Sequence, residues 1–184
     1  MNALLGMMGQ KRSGKDTAAG FLLTERGFAR YGFADALKAA AYHLNPLVGS
    51  VALPDSLVGE KRLRDVVDAL GWEGAKECPE VRRTLQEYGM SIRAIEPGFW
   101  VSAAMRPAAA ARLTQPVVIT DVRFPNEADA IRAAGGRLVR VDRPGLPDDD
   151  GHASEHAWRS IEPDVVLVND STIEHLFEQV ARIA

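Results

Sequence analysis

The chain has 184 residues, 46% of them apolar and 26% charged, with a net charge of −3. That length suffices for one domain with a sizeable core, and the acidic balance argues against a binder of nucleic-acid polymers, which carries a basic excess. The single cysteine, Cys78, permits no intrachain disulfide and no zinc cluster, and with neither a signal peptide nor an apolar run of roughly 20 residues to span a bilayer, a cytoplasmic setting is expected.

The elements alternate from the start. Residues 3–8, "ALLGMM", form a short apolar run closed by glycine and read as a buried strand. Residues 15–26 read as a helix with Gly27 as its stop. "FARYGF", 28–33, reads as a second strand, and Asp35 opens a helix ended by Asn45-Pro46. From about 46 to 114 no strand is expected. Leu63, Val66, Val67 and Leu70 share one helix face, which Gly71 closes. Val81, Leu85 and Tyr88 mark a helix over 79–89, and Pro97 begins a third that runs to about 113. Alternation then returns: strand 116–120, a helix in "NEADAIRAAGG", strand 137–141, a long polar loop, strand 164–168 and a final helix with Ser171 and Glu174 at capping-box spacing.

Short apolar strands separated by helices predict a parallel sheet covered on both faces, a three-layer α/β fold. The expected organisation is a single domain over 1–184. Its core lies at about 1–45 and 115–184, with a helical insertion at about 46–114 and a lid loop at about 143–157. Ligands in such folds sit beyond the carboxyl ends of the strands.

The junction after the first strand carries the chemistry. Gly9, four residues, then Gly14 and Lys15 fit the phosphate-loop spacing G-x-x-x-x-G-K. Glycines let backbone N–H groups turn around an anion, the following helix adds its positive end, and Lys15 reaches the outer phosphates as a point charge. The residue after Lys15 is Asp16 where a phosphate loop usually has Ser or Thr, so Asp16 is a candidate Mg²⁺ partner, and pairing with Lys15 is its alternative. Thr17 follows. Asp121 ends an apolar strand and suits a second acidic role at the metal, with a strand-end cap as the plain alternative.

A phosphate loop alone fits a kinase, a switch GTPase or an ATP-driven motor. A kinase for an anionic acceptor needs a second set of cations. Arg82 and Gln86 share a helix face, Arg64 and Arg93 lie nearby in sequence, Arg123 follows Asp121, and Arg143 opens the lid loop. Phe99 and Trp100 are candidates to stack on a base, with a place in the core as the alternative. His152, Ser154 and Glu155 read as polar contacts of a mobile lid rather than a nucleophilic triad.

Together "GQKRSGKDT" (9–17), "FADALK" (33–38), "RRTLQEYG" (82–89), "FWV" (99–101), "DVRFPNEADAI" (121–131), "RPG" (143–145), "HASE" (152–155) and "VND" (168–170) resemble the phage-type deoxynucleoside monophosphate kinases, over nearly the whole chain. Phosphomevalonate kinases, with a similar loop ending in Lys-Asp, are the neighbouring family. The resemblance implies a phosphate-loop kinase fold with a five-stranded parallel sheet, and Mg²⁺-dependent transfer of the ATP γ-phosphate to a deoxynucleoside monophosphate. It implies that Lys11, Arg12, Ser13, Gly14, Lys15, Asp16 and Thr17 hold ATP, with Asp16 and Asp121 at the metal. Phe33, Asp35, Lys38, Arg64, Arg82, Gln86, Trp100, Asn126 and Glu127 would serve the acceptor, and Lys15, Arg123 and Arg143 the transfer itself. The segment "GMSIRAI" around Arg93 departs from the family pattern. The partners implied are small-molecule nucleotides, with a homodimer as the default assembly.

Overall fold

The computed structural model describes residues 1–53, 56–147 and 157–184. In chain order its elements are β1 (Leu4–Met8), α1 (Lys15–Arg26), β2 (Ala29–Tyr31), α2 (Phe33–Leu44), β3 (Leu47–Leu53), β4 (Ser56–Arg62), α3 (Leu63–Ala75), α4 (Pro79–Ile95) and α5 (Phe99–Ala111). They continue with β5 (Val117–Ile119), α6 (Pro125–Ala133), β6 (Arg137–Asp142), a 3₁₀ turn (Ala157–Ser160), β7 (Val165–Val168) and α7 (Ile173–Ala181). The chain divides into two compact units, one of Met1–Phe33 with Val101–Ala184, the other of Ala34–Trp100.

The first unit is the expected three-layer α/β fold. Its five strands lie in the order β2-β5-β1-β6-β7, and every neighbouring pair is parallel. A parallel strand in the middle of such a sheet is covered twice, so its residues are apolar on both faces. β1 obeys this: all five residues are buried. Leu5 and Met7 face α1 and α7, in a cluster with Leu22, Val139, Leu167, Leu176 and Val180. Leu4 and Met8 face α5 and α6, in a cluster with Ala104, Ala108, Ile131 and Leu138. Each fully buried aliphatic side chain contributes about 1.5–3 kcal/mol. Arg112, just past α5, is buried and donates to the carbonyls of Asn2, Ala134 and Gly135, so its charge sits on the negative end of α6.

The second unit holds α3, α4 and most of α2, together with an antiparallel pair, β3 and β4. Ala41, Val48, Val51, Leu63, Val66, Val67, Val81 and Leu85 form its core. The hairpin corrects the expectation that 46–114 holds no strand. Its apolar residues are broken by Gly49 and Ser50 and give way to the polar run 59–62, and the buried Val48 and Val51 become core where α3 and α4 pack on them. α3 breaks at Gly71 (φ 65°, ψ 171°), where the sequence places a stop, and a further turn follows to Ala75. α4 extends to Ile95, well past the expected residue 89. The cap of the last helix falls one residue later than the capping-box spacing suggests: Thr172 accepts from the His175 N–H. Among the described residues no helix is long and apolar enough to cross a membrane.

One helix carries a local flaw. Pro107 is an exposed residue inside α5, where it donates no backbone hydrogen bond and crowds the preceding turn. Pro107→Ala is expected to stabilise the chain by about 1–3 kcal/mol, less the entropy that proline removes from the unfolded state. Chemical denaturation followed by circular dichroism checks this, with a higher midpoint as the expected outcome.

Candidate active site

The first unit gathers its polar residues beyond the carboxyl ends of its strands. The loop Gly9–Gly14 follows β1, Phe33 follows β2, Asp121 and Arg123 follow β5, Arg143 follows β6 and Asn169 follows β7. This is the edge where open parallel sheets bind ligands.

The loop has the backbone of an anion cradle. Gly9 and Gly14 take φ values of 141° and 101°, which only glycine adopts without strain, and Arg12 takes the left-handed region at 69°. A Cβ on Gly9 would lie 2.5 Å from the Val141 carbonyl oxygen. A Cβ on Gly14 would lie 2.5 Å from the Asn169 amide nitrogen. Gly14 is the N-cap of α1 and supplies no side chain to the first-turn N–H groups, which therefore point toward the loop without an intrahelical partner. Ser13 is completely buried, and among the described residues its hydroxyl has no hydrogen-bond partner. A buried polar atom left unpaired at a helix N-terminus is what an anion site presents before its anion arrives. The residues therefore fit a nucleotide's phosphates.

Lys15 opens α1, its side chain mostly covered, with its ammonium 3.8 Å from the exposed Asp16 carboxylate. Lys11, Arg12, Asp16 and Thr17 are exposed around the loop. Gln10 donates its amide to the Pro147 carbonyl, which ties the loop to the segment after β6.

Asp121 is held rather than loose. Its carboxylate accepts from the Phe33 N–H at 2.7 Å and borders Gly32, where a Cβ would lie 3.0 Å from both Asp121 Oδ2 and Arg30 Nη2. The next turn is held by Glu127, which is 2% exposed and accepts from the N–H groups of Arg123 (2.8 Å) and Phe124 (3.1 Å). Glu127 thus caps α6 and fixes Arg123 rather than facing solvent. Asn126 lies half-buried in the first turn of the same helix. Arg143 is exposed at the start of the segment after β6. Residues 148–150 and the His152, Ser154 and Glu155 motif lie outside the described residues, as does most of the expected lid.

Two metal candidates, Asp16 and Asp121, are hard oxygen donors. No group of three or more His, Cys, Asp or Glu side chains poised for a metal occurs among the described residues. That donor set fits Mg²⁺, which is usually held by one or two carboxylates together with substrate phosphates.

In the second unit, Asp35 and Lys38 stand one turn apart on α2, with the Lys38 ammonium 5.9 Å from the Trp72 ring centroid. Arg82 and Gln86 stand one turn apart on α4. Arg82 donates from Nε to the Lys76 carbonyl at 3.2 Å and keeps Nη2 4.0 Å from Glu77. Arg64 is turned onto the end of α2: it donates to the carbonyls of Tyr42 (2.8 Å) and His43 (3.1 Å) and lies 5.2 Å from the Tyr42 ring centroid. The Tyr42 hydroxyl donates to Asp68, and that hydrogen bond holds the phenol above its ordinary pKa. Arg64 thus caps the last carbonyls of α2.

Two of the aromatic candidates are buried. Phe33 is 4% exposed in the first unit's core, with its backbone N–H donating to the Asp121 carboxylate. Trp100 is 3% exposed, with its indole N–H donating to the Gly89 carbonyl at 3.0 Å. Its neighbour Phe99 is 47% exposed and lies edge-on to Trp100. Sequence reasoning gave no role to Asn169 beyond its place in the "VND" motif, just past a strand at the carboxyl edge.

The parallel sheet, the β1–loop–α1 junction and the acidic residue at the end of β5 define a phosphate-loop kinase fold. A family model described as deoxynucleotide monophosphate kinase matches residues 61–180. A protein of Acanthamoeba polyphaga mimivirus that bears the provisional name deoxynucleotide monophosphate kinase is 37% identical over 196 aligned positions, covering 96% of this chain and 93% of that one. The deoxynucleotide monophosphate kinase of Enterobacteria phage T4 is 35% identical over 63 residues, 34% of this chain and 26% of that protein. Among solved structures, TT1252 from Thermus thermophilus is similar with a TM-score of 0.48 and 16% identity, covering 99% of this chain and 96% of that one. The chain belongs to the deoxynucleotide monophosphate kinase family. It is an enzyme of the nucleoside monophosphate kinase class.

Loss of the Glu127 carboxylate is expected to loosen the Arg123 turn. Glu127→Ala should lower stability by about 0.5–2 kcal/mol, the range for a lost helix cap. It should lower turnover by a larger factor than that destabilisation accounts for. Parallel thermal melts and initial rates check this, and a rate that simply tracks the folded fraction would leave Glu127 with a purely structural part.

Proposed function

We propose that this enzyme transfers the γ-phosphoryl group of ATP, with Mg²⁺, to a deoxynucleoside 5′-monophosphate. An oxygen of the acceptor phosphate bonds to the γ-phosphorus, the bond from that phosphorus to the β–γ bridging oxygen breaks, and ADP leaves. The observation that carries the reading is the glycine-rich loop at the carboxyl edge, with a buried hydroxyl that has no partner among the described residues and an adjoining lysine, in a chain of this family.

The acceptor oxygen is already ionised at neutral pH, so no strong base is required. That agrees with a sequence in which none of the four histidines adjoins the phosphate-loop motif along the chain. Positioning and charge then supply the catalysis. Residues Lys11 to Thr17 hold the donor phosphates, with the loop N–H groups and the Lys15 ammonium on the oxygens that gain charge. Asp16 and Asp121 would hold Mg²⁺, directly or through water, and the metal when bound neutralises the β- and γ-oxygens. Arg123 and Arg143 supply further positive charge to the transferring group. Glu127 and the Phe33 N–H keep Arg123 and Asp121 in place. On the acceptor side, Lys38 and Arg82 take the monophosphate, Asp35, Gln86 and Asn126 take polar groups of the nucleoside, and Phe99 offers a ring for the base. Trp100 supports Phe99 from the core, and Arg64 supports α2.

The direct test is ADP release from ATP and Mg²⁺ with each deoxynucleoside monophosphate in turn, and with none. Strong stimulation by one or several is the expected result and gives the base preference. Steady hydrolysis that no acceptor stimulates points to a nucleotide switch, and silence in every tube points to another phosphorylated acceptor, such as phosphomevalonate.

Lys15→Ala should lower turnover by at least about 10²–10³-fold, the cost of one well-placed transition-state contact, while the circular dichroism spectrum is unchanged. Arg82→Ala should raise the KM for the acceptor and leave that for ATP near its original value. An unchanged acceptor KM removes Arg82 from the site.

A further inference from the structure

Asn169 stands at the junction of three elements of the first unit. Its backbone N–H donates to the Asp142 carbonyl at 2.7 Å, which fixes it against the end of β6. Its side-chain amide donates to the Ser13 carbonyl at 2.9 Å. The same nitrogen presses on Gly14 so closely that a Cβ there would meet it at 2.5 Å. The residue before it is gripped from the other side: Gln179 of α7 accepts from the Val168 N–H and donates to the Val168 carbonyl, both at 2.9 Å. α7 in turn packs on α1, with Phe177 stacked on Phe21 at 4.8 Å between ring centroids. A continuous run of hydrogen bonds therefore leads from α7 through the end of β7 to the peptide that joins Ser13 to Gly14.

The peptide at the end of that run matters most to an anion. The chain has no cis peptide bonds among its described residues, and in a trans peptide the C=O and the N–H point in opposite directions. Pinning the Ser13 carbonyl toward β7 thus turns the Gly14 N–H the other way, toward the phosphate side of the loop. The loop does not hold this shape by local preference, because Arg12 is a non-glycine residue in the left-handed region and the buried Ser13 hydroxyl has no partner among the described residues.

The geometry points to Asn169 as a positioning residue for the phosphate loop, locked in turn by Gln179 and by the Asp142 carbonyl. Its part is to set the direction of the Ser13–Gly14 peptide before the donor arrives, and the inference rests on the reading of Gly9–Lys15 as a phosphate cradle. It separates two roles open to a polar residue at this edge. A residue that acts through the loop serves any ligand with the phosphates. A residue that touches the base serves only a nucleotide.

Calorimetric titration of the full chain with ATP and with inorganic tripolyphosphate, which has no base or sugar, distinguishes them. Asn169→Ala is expected to weaken both ligands equally, by about tenfold, the worth of one good hydrogen bond. In the kinase assay the same variant should raise the KM for ATP and leave the KM for the deoxynucleoside monophosphate unchanged. Gln179→Ala, which touches neither loop nor ligand, should weaken ATP and tripolyphosphate together by a smaller factor, and it carries the test if Asn169→Ala does not fold. Loss of ATP affinity with tripolyphosphate affinity intact assigns Asn169 to the base and overturns the proposal, as does unchanged affinity for both. A wild-type chain that binds no tripolyphosphate overturns the cradle itself. A chain that binds it but phosphorylates no monophosphate overturns only the proposed substrate.

Discussion

The turn between β1 and α1 holds a backbone shape that its own residues do not favour, and the neighbouring structure is built around that constraint. It leaves the first turn of α1 without a side-chain cap, places two glycines at positive φ and buries a serine hydroxyl that has no partner among the described residues. Each of these is unfavourable in isolation. They persist because the neighbours are rigid: a fully buried β1 behind the loop, the Val141 carbonyl against Gly9, and Asn169 against Gly14. Stability of the sheet is therefore spent on holding an unfavourable turn in readiness. The same economy recurs after β5, where the Phe33 N–H and the Glu127 carboxylate hold Asp121 and the Arg123 turn in set positions.

The parallel sheet turns this local readiness into a site. Because every strand runs the same way, the residues after β1, β2, β5, β6 and β7 all emerge at one edge. Groups distant in sequence, such as Ser13 and Asn169 or Phe33 and Asp121, become hydrogen-bond partners through strand order alone. The loop supplies backbone dipoles, Lys15 and Arg123 supply full charges, and Asp16 and Asp121 supply hard oxygens, the set that phosphoryl transfer asks of a protein.

Much of this was legible in the sequence, for physical reasons that also mark where legibility ends. α1 begins at Lys15 and ends before Gly27 as the pattern predicts, since a glycine turn on each side leaves little freedom. β1, β5, β6 and β7 fall where apolar runs place them, because double coverage demands such runs. The glycine-lysine spacing of residues 9–15 and Asp121 are local features, so their places at strand ends were readable directly. The β3–β4 hairpin was not, since Val48 and Val51 are buried by elements further along the chain. Burial likewise separates Phe33 and Trp100 from the exposed Phe99, although all three are aromatic residues in motif positions. Arg64 looks like any phosphate-seeking arginine until its carbonyl partners on α2 are seen.

The grip of Gln179 on Val168 has one more effect, at the rim of the sheet. Asn169 turns its N–H inward to Asp142, so the N–H and carbonyl of Val168 face outward from the edge strand, and Gln179 takes both. At the opposite rim, Ala29 and Tyr31 face β5, which leaves Arg30 as the outward residue of the three in β2. An open row of backbone groups is a template on which a foreign strand can grow, and natural sheets blunt it with short edges, charges or a covering group. Both rims of this sheet are treated in that way. The side chain that grips the end of β7 thus also covers outward backbone groups that an incoming strand would otherwise pair with.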